Sequence, residues 1–478
     1  MPGLNEGMNR RQFLLNTSMA AAGLLAAPSM ARASSSFPVV RTPLARRRFT
    51  SPAVEKTIAR VQSALRDKEL AWMFGNCFPN TLDTTVDFGW FDGQPDTYVI
   101  TGDINAMWLR DSSAQVWPYL PLMKDDSHLQ MMIAGVIRRQ TRYVLLDPYA
   151  NAFYKDSNQI SEWSTDLTTM KPGVHERKWE VDSLCYTLRL AHGYWKASGD
   201  AAPFDHEWRD AVAAIVRTFR EQQRKDGPGP YHFQRRTETQ SDTLAGAGYG
   251  NPARPVGMIY SMFRPSDDAT VFPFLVPSNF FAVVSLLQAS EMVEALHQDH
   301  DLAGACQRLA REVRLALDRY AQVDLAGTGR IFAYEVDAYG NSYCIDDGNA
   351  PSLLSLPYLG AVKSGDACYL ATRKFILSGA NPYYCQGSVA SGPGGPHAGR
   401  GMIWPLGLIM QGLTSTHREE VGQCLETLKR THAGTGFMHE AFDANNPDHF
   451  TRPWFAWANT LFGELVLKTM DQFPGLIT

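Results

Sequence analysis

The chain has 478 residues, of which 44% are hydrophobic and 20% charged, and its formal net charge is −4. This composition is that of a globular protein with a large core, and the small net charge argues against nucleic acid or an anionic membrane as a partner. Length alone suggests two or three domains, although single large barrels also reach this size. The 11 Trp and 18 Tyr residues suit stacking on sugars, but they suit a large helical core equally well.

The cysteines show no pattern of a disulfide framework or a zinc site. Their number is odd, their spacing is wide and no Cys-x-x-Cys occurs. We expect most of them to be small buried hydrophobic residues. They are Cys77, Cys185, Cys306, Cys344, Cys368, Cys385 and Cys424.

Residues 1–33 have the features of a twin-arginine signal peptide. Asn9-Arg10-Arg11-Gln12-Phe13-Leu14 carries the arginine pair, an apolar stretch covers 19–27, and Ala31-Arg32-Ala33 predicts cleavage after Ala33. The apolar run is too short to span a bilayer, so we expect no membrane span. The twin-arginine export machinery is then a partner, and the protein is periplasmic or secreted. This route carries folded proteins, which explains unpaired cysteines in an exported chain.

Residues 34–49 are rich in Ser, Pro and Arg and predict a flexible lead-in. Residues 50–478 then predict a single domain of amphipathic helices, because apolar residues recur at three- and four-residue spacing. Long strand–helix alternation is missing from the sequence, which disfavours doubly wound and (β/α)₈ folds. The predicted helices cover 51–67, 109–122, 126–146, 179–198, 205–225, 278–298, 301–321, 350–360, 366–378, 400–413, 416–432 and 453–470.

Twelve helices suggest six hairpins closed into an all-α toroid, the (α/α)₆ barrel. Short strands are expected near 95–101 and 331–336. Long connections between helices tend to be functional, and in a toroid they gather at the ends, where they can form a deep pocket. These predicted loops cover 147–178, 226–277, 322–349, 379–399 and 433–452.

The stretch 101–117 concentrates Asp103, Trp108, Arg110 and Asp111 at the start of a predicted helix. Arg110 and Asp111 can hydrogen-bond vicinal hydroxyls, and Trp108 offers a stacking face, so the stretch suits a polar, ring-shaped ligand. The alternative is an ordinary helix start in which Asp111 caps the helix or answers its dipole. The stretch alone leaves both interpretations open.

Two further segments carry candidate catalytic carboxylates. Asp267 and Asp268 follow Arg264 in a largely apolar context, where a neighbouring negative charge and burial can tune one of them as a general acid. The alternative is a capped turn. Glu440 stands among apolar and aromatic residues in Gly436–Phe442, so it is either buried with a partner or catalytic.

Other chemistries find less support. The Asp-Asp-Gly-Asn stretch at 346–349 lacks the alternating spacing and final Glu of a calcium loop, and is expected to shape the pocket instead. His175, His397 and His439 do not fall at metal-ligand spacing. The sequence also has no Gly-x-Ser-x-Gly elbow and no phosphate-binding loop. Hydrolysis by paired carboxylates is the best-supported reaction.

Taken together, the chain resembles glycoside hydrolase family 125, the exo-α-1,6-mannosidases. The match covers most of the chain after residue 70, in order. Its segments are Thr-Gly-Asp-Ile-Asn-Ala-Met-Trp-Leu-Arg-Asp-Ser, Asp-Pro-Tyr-Ala-Asn-Ala-Phe (147–153), Lys-Trp-Glu-Val-Asp-Ser-Leu-Cys-Tyr (178–186), Phe-Arg-Pro-Ser-Asp-Asp-Ala (263–269), Pro-Ser-Leu-Leu-Ser-Leu-Pro-Tyr-Leu-Gly (351–360), Ile-Trp-Pro-Leu (403–406), Met-His-Glu-Ala-Phe (438–442) and Trp-Phe-Ala-Trp-Ala-Asn-Thr-Leu-Phe-Gly-Glu-Leu (454–465).

The resemblance implies an (α/α)₆ fold and an inverting reaction with neither metal nor cofactor. It implies that an Asp of the 264–268 segment protonates the glycosidic oxygen and that Glu440 activates water; between the two Asp residues, Asp268 is preferred as the acid. Terminal mannose would be held by Trp108, Arg110 and Asp111. Further candidates for the pocket wall or its support are Asp103, Asn151, Asp182, Asn279 and His397.

Three alternatives remain at this point. A glucoamylase- or trehalase-like inverting enzyme would share the toroid, because substrate identity depends on the pocket wall. A non-catalytic carbohydrate-binding protein would share the aromatic pocket, although the Asp pair and Glu440 argue against it. A polysaccharide lyase would need a cluster of Arg, Lys, His and Tyr near its base, which the sequence lacks.

Overall fold

The computed structural model describes residues 37–478; the predicted signal peptide lies outside them. In this range the chain forms fourteen α-helices: α1 (Pro52–Ala64), α2 (Lys68–Cys77), α3 (Asn80–Thr84), α4 (Leu109–Val116), α5 (Ser127–Leu146), α6 (Val181–Ser198), α7 (His206–Glu221), α8 (Val276–His297), α9 (His300–Tyr320), α10 (Ala367–Ile376), α11 (Pro405–Thr414), α12 (Arg418–Arg430), α13 (Ala456–Gln472) and α14 (Pro474–Ile477). A 3₁₀ helix, Trp117–Asp125, extends α4.

Fifteen short strands pair into small sheets in the same range. The strands are β1 (Val86–Phe91), β2 (Gln94–Val99), β3 (Met107–Trp108), β4 (Ala152–Phe153), β5 (Val174–Glu176), β6 (Phe274–Leu275), β7 (Gln322–Leu325), β8 (Gly329–Phe332), β9 (Glu335–Val336), β10 (Ser342–Tyr343), β11 (Tyr384–Gln386), β12 (Ser391–Pro393), β13 (Met402–Ile403), β14 (Ala441–Asp443) and β15 (Phe450–Thr451). The strand expected near 95–101 is β2, and the one near 331–336 is divided between β8 and β9.

The helices pack as a double ring. Among the inner helices, α4 packs against α6 and α13, α6 against α8, and α11 against α13. Outer helices cover them: α5 packs on α6, α9 on α8, α12 on α11 and α2 on α13. This is the toroid that the helical periodicity predicts. The helices α2 and α3 were not predicted, because the expected first helix, 51–67, ends at Ala64 and a new one begins after the Asp67 cap.

The amphipathic pattern places the outer helices correctly because it is strong there. In α9, Cys306, Leu309, Val313 and Leu317 are buried on one face, and Asp299 caps the first turn by accepting a hydrogen bond from the Leu302 amide at 3.0 Å. The inner helices are buried on nearly all sides. Of these, α8 is the one helix in 37–478 that is long and apolar enough to cross a membrane, yet it packs between α6 and α9 in the ring.

The helix predicted at 350–360 is wrong: these residues form consecutive turns. The Asp346 carboxylate accepts hydrogen bonds from the Leu353 and Leu354 amides, at 2.8 and 3.1 Å, in place of helical carbonyl groups. Pro357 adds a position without an N–H. The turns still bury Leu353, Leu354, Leu356 and Leu359 in the core.

The described part of the expected lead-in, residues 37–49, is packed against the helices. Arg41 donates to Asp83 at 2.7 Å and to Glu55 at 2.5 Å, and Phe37 stacks on Trp72 with ring centroids 5.0 Å apart. Because Asp83 is buried, this bidentate contact holds the segment on the ring. These contacts differ from the flexible segment expected from composition.

All seven cysteines lie in the described range and are free, and five of them are buried. Burial raises the pKa of the Cys185 thiol, as it does for a cysteine used as a hydrophobic core residue. The expectation that the cysteines form no disulfide framework is confirmed.

Candidate active site

A cavity of about 340 Å³ opens where the inner helices begin. Short strands lead directly into these helices: β3 into α4, β6 into α8, and β13, through Trp404, into α11. The chain therefore delivers side chains from distant segments to one end of the ring. The lining residues are Thr101, Trp108, Arg110, Asp111, Pro265, Ser266, Asp267, Asn349, His397, Trp404, Glu440, Arg452, Phe455 and Trp457.

Arg110 is the centre of a buried charge cluster below this cavity. Its Nη2 donates to Asp267 Oδ1 at 3.3 Å, and its Nη1 donates to Glu180 and, at 3.5 Å, to Asp182. Asp111 lies beside it, with Oδ2 at 3.6 Å from Arg110 Nε. One guanidinium thus faces four carboxyl groups, so its first role is to hold them together.

Two carboxyl groups of this cluster, those of Glu180 and Asp182, resist ionisation. Burial raises the pKa of Glu180 well above its usual range and raises that of Asp182 to about 6, although Arg110 opposes the shift in both cases. Ser183 Oγ donates to Glu180 at 2.9 Å and Ser278 Oγ to Asp182 at 3.3 Å. The cluster therefore binds protons more tightly than exposed carboxylates would.

Residues 264–268, the carboxylate loop, form a closed turn. The Arg264 amide donates to the Asp268 carbonyl at 2.8 Å, and Asp267 has a positive φ of 68°, a conformation that costs energy for a residue with a side chain. Two outside contacts fix the turn: Arg264 Nε donates to Glu335 at 2.6 Å and Ser266 Oγ to Asp347 at 2.7 Å. These contacts fix the turn that carries both carboxyl groups.

The two Asp side chains face different spaces. Asp267 lines the cavity described above, whereas Asp268 lines a neighbouring one. Asp268 Oδ1 lies 3.1 Å from His397 Nδ1. Burial alone would raise the pKa of Asp268, but His397 and, farther away, Arg264 lower it below its usual value. Asp268 is thus held as a carboxylate.

Residues 438–452, the glutamate arm, bring Glu440 to the same cavity as Asp267. Strand β14 follows Glu440 and pairs with β13 and β15. Arg452 Nη1 donates to Glu440 Oε1 at 3.3 Å, while its Nη2 contacts Asp103. Arg452 also has a positive φ, of 50°, and its carbonyl lies 3.2 Å from His439 Nδ1. A single arginine therefore orients Glu440.

Trp108 and Asp111 form the wall between these segments. Strand pairing of β3 with β4 places Trp108, whose ring meets His175 edge-on at 5.1 Å between centroids. Asp111 Oδ1 accepts from Thr101 Oγ1 at 2.5 Å. Trp108 is the N-cap residue of α4 and makes no side-chain cap hydrogen bond, and Asp111 lies in the first turn, where its charge suits the helix dipole. The interpretation of 101–117 as a ligand-holding stretch thus agrees with its position at the cavity.

Three supporting candidates lie behind the wall, fully buried. Asn151 Nδ2 donates to Glu176 at 3.1 Å, and Asp182 belongs to the Arg110 cluster. Asn279 contacts neither cavity: it accepts from the Ile259 amide at 2.8 Å and donates to the Ile259 carbonyl at 2.9 Å. Asn279 therefore anchors a loop to α8 behind the wall.

Sequence analysis missed several residues of the site. Glu180 and Arg452 lie within segments already singled out in the sequence, but their partners are distant. Glu180 contacts Arg110, 70 residues away. Arg452 contacts Glu440, 12 residues away, and Asp103, 349 residues away. Lys178 Nζ donates to the Asp267 carbonyl at 3.1 Å, a contact across 89 residues. The sequence signal available for Glu180 was a glutamate at the start of a helix. The aromatic wall adds Trp404, Phe455 and Trp457.

The double ring of helices defines a class, the (α/α)₆ toroids. A bacterial glucoamylase solved with acarbose matches 88% of this chain and 57% of its own, at a TM-score of 0.52 and 13% identity, which shows the shared fold alone. Within residues 37–478, no group of three or more His, Cys, Asp or Glu side chains is arranged to hold a metal ion.

The family model for metal-independent α-mannosidases, glycoside hydrolase family 125, matches residues 67–467. A solved α-mannosidase from Streptococcus pneumoniae, in a non-productive complex with α-1,6-mannobiose, is 41% identical, with a TM-score of 0.85 over 89% of this chain and 99% of its own. The meiotically up-regulated gene 157 protein of Schizosaccharomyces pombe is 42% identical over 90% of this chain and 88% of that protein. The chain belongs to glycoside hydrolase family 125, and it is an α-mannosidase with the (α/α)₆ fold.

Proposed function

We propose that this enzyme removes terminal α-1,6-linked mannose with inversion, using Asp267 as general acid and Glu440 as general base. The observation that carries the proposal is that both carboxyl groups line one small cavity, although 173 positions separate them in the sequence. An inverting glycosidase needs an acid on one side of the sugar and a carboxylate that holds water on the other.

The choice of Asp267 over Asp268 reverses the preference drawn from sequence. A general acid must carry a proton and reach the glycosidic oxygen. Asp268 has a lowered pKa beside His397 and faces the neighbouring cavity. Asp267 faces the cavity shared with Glu440, and its partner Arg110 is already divided among other carboxyl groups. These contacts support Asp267 as the donor and Asp268 as a support for His397.

Glu440 suits the role of base because it lines the cavity and is oriented by Arg452. Arg452 binds one of its oxygens, and the other is available for a water molecule. Around the sugar, Trp108 offers an apolar face and Asp111 a hydroxyl acceptor. Arg110 also lines the cavity, and its Nη1 and Nη2 atoms donate to carboxyl groups of the buried cluster.

We infer exo action from the small cavity that Asp267 and Glu440 share. The α-1,6 linkage is supported by the mannobiose bound to the streptococcal relative. A glucoamylase-like activity rests on fold likeness only. A purely carbohydrate-binding role is opposed by the retained carboxyl pair.

The test is the release of mannose from α-1,6-, α-1,3- and α-1,2-linked mannobiose and from maltose, followed by ion-exchange chromatography. We expect hydrolysis of the α-1,6 isomer at least about a hundredfold faster than of the others, since a wrongly directed leaving group costs about 3 kcal/mol of transition-state binding. Hydrolysis of maltose alone would support the glucoamylase-like alternative. Binding of mannobiose without turnover would support the carbohydrate-binding one.

We also propose that the enzyme is exported by the twin-arginine machinery and acts in the periplasm or outside the cell. The proposal rests on the Arg10-Arg11 pair, the apolar stretch and the Ala31-Arg32-Ala33 site. Replacing both arginines by lysine in a bacterial host with this export system should leave the enzyme in the cytoplasm at its full length. Unchanged export of the double-lysine variant would contradict the assignment.

A further inference from the structure

A second, larger cavity adjoins the first across the carboxylate loop. It encloses about 1770 Å³ of space that opens to solvent. Two pairs of neighbouring residues separate the two cavities. Asp267 and His397 line the first cavity, whereas Asp268 and Pro396 line the second. The larger cavity therefore begins beside the proposed acid.

Its position has a chemical meaning in the proposed reaction. A general acid stands next to the oxygen of the leaving group, on the side away from the base. Glu440 lines the small cavity and does not line the larger one. The larger cavity is thus on the side from which the shortened oligosaccharide departs.

The lining is mostly polar and aromatic, and it also includes three charged residues, Glu238, Arg264 and Asp268. Hydroxyl and amide groups come from Thr239, Gln240, Ser241, Thr243 and Asn251. Two half-buried tyrosine rings, Tyr343 and Tyr383, add stacking faces. Neutral donors and acceptors beside aromatic faces are what recognises sugar hydroxyls and the apolar faces of sugar rings.

Both tyrosines stand on fixed backbone. Tyr343 ends β10, and its carbonyl accepts from the Tyr334 amide at 3.0 Å. The Tyr383 amide donates to Asn381 Oδ1 at 3.2 Å, and its carbonyl accepts from the Gly394 amide at 2.9 Å. The opposite wall is tied to the carboxylate loop, because the Ala269 amide donates to the Ser241 carbonyl at 2.7 Å. The cavity is a preformed groove between two rigid walls.

We propose that this cavity binds a leaving-group chain of two or more sugars, with Tyr343 and Tyr383 as stacking faces, and so makes the enzyme prefer longer α-mannosides. This inference rests on the proposed function. The cavity is larger than the first and opens to solvent beside Asp268, so it has room for more than the first leaving-group sugar.

The test compares kcat/KM for α-1,6-mannotetraose with that for α-mannosyl fluoride, which has no leaving-group sugar. Tyr383→Ala should lower the tetraose-to-fluoride ratio about three- to tenfold, the size of one aromatic stacking contact, mainly through KM. Tyr383→Phe should restore the ratio because it keeps the ring. Tyr339→Ala is the matched control, since Tyr339 is 64% exposed on the neighbouring turn and lies outside the cavity.

A Tyr383→Ala ratio equal to that of wild type, together with the same result for Tyr343→Ala, would overturn the inference. Failure of the proposed function is distinguishable, because wild-type enzyme would then release no mannose from either substrate. In that case calorimetric titration of mannotetraose into Glu440→Gln protein, with and without Tyr383→Ala, still decides whether the cavity binds the chain. Equal affinity of the two proteins would refute it.

Discussion

The carboxylate loop and the glutamate arm hold their catalytic candidates by different means. In the loop, Asp267 is surrounded by buried ions, with Arg110 and Lys178 in direct contact with it. In the arm, Glu440 has one charged partner, Arg452, and the rest of its support is strand pairing and a stack of His439 on Phe450 at 3.8 Å between centroids. The carboxylate loop thus balances many charges, whereas the glutamate arm orients a single carboxyl group.

This difference matches what each carboxyl group must do in the proposed reaction. An acid has to be held beside the oxygen of the leaving group, and the closed turn with its many ionic contacts fixes Asp267 at the cavity. A base has to be oriented toward water, and Arg452 orients Glu440 through one of its oxygens. We therefore expect changes in the loop network to affect folding and activity together, and changes in the arm to act on activity with little loss of stability.

The largest expected effect is that of Glu440→Gln. It removes the proposed base but keeps the shape of the side chain, so kcat for α-1,6-mannobiose should fall about 10²- to 10⁴-fold. Hydrolysis of α-mannosyl fluoride should fall similarly, because water must still be activated. Glu426→Gln, on the exposed face of α12, is the control. Near-normal turnover by Glu440→Gln would exclude it as the base.

Asp267→Asn should separate the two substrates. Mannobiose needs a protonated leaving oxygen, so its hydrolysis should fall about 10²- to 10⁴-fold, whereas fluoride leaves with little help and should be affected less than about tenfold. Asp268→Asn, which perturbs His397, should lower the hydrolysis rates of both substrates by a similar and smaller factor. The opposite pattern, with Asp268→Asn showing the selective loss, would restore Asp268 as the acid.

Arg110→Met should destabilise the fold by about 3–5 kcal/mol, because it leaves several buried carboxyl groups without their cation. Urea unfolding followed by tryptophan fluorescence measures this change. Arg330→Met is a matched control, since its partner Asp324 at 3.2 Å is exposed, and it should change stability by less than about 0.5 kcal/mol. Equal effects of the two variants would contradict the charge-balance account of the loop.

The smallest expected effect concerns His439 in the glutamate arm. Burial lowers its pKa to about 4, so the unfolded chain binds a proton between about pH 6.5 and 4 that the folded chain does not. Stability should therefore fall by about 1–2 kcal/mol between pH 7 and 5, and His439→Gln should lose that part of the pH dependence. Parallel stability–pH curves for wild type and variant would show that His439 is not buried neutral.

The toroid could be predicted because apolar periodicity is a local property, as in α5, α7 and α9. The turns at 350–360 could not, since Asp346 and Pro357 override an apolar pattern that looks helical. At the site, the segments containing Trp108, Asp267 and Glu440 were recognised from residue types. Their partners were not, because Glu180 and Arg452 gain their roles only when the ring closes. The separation of Asp267 from Asp268 likewise depends on a positive φ that the sequence does not display.

The most direct test of the account is the stereochemistry of the first product. Proton NMR during the first minutes of α-1,6-mannobiose hydrolysis, before mutarotation, distinguishes the two anomers of released mannose. Water activated by Glu440 on the face opposite Asp267 predicts β-mannose as the first anomer. Initial release of α-mannose would contradict the inverting arrangement of these two carboxyl groups.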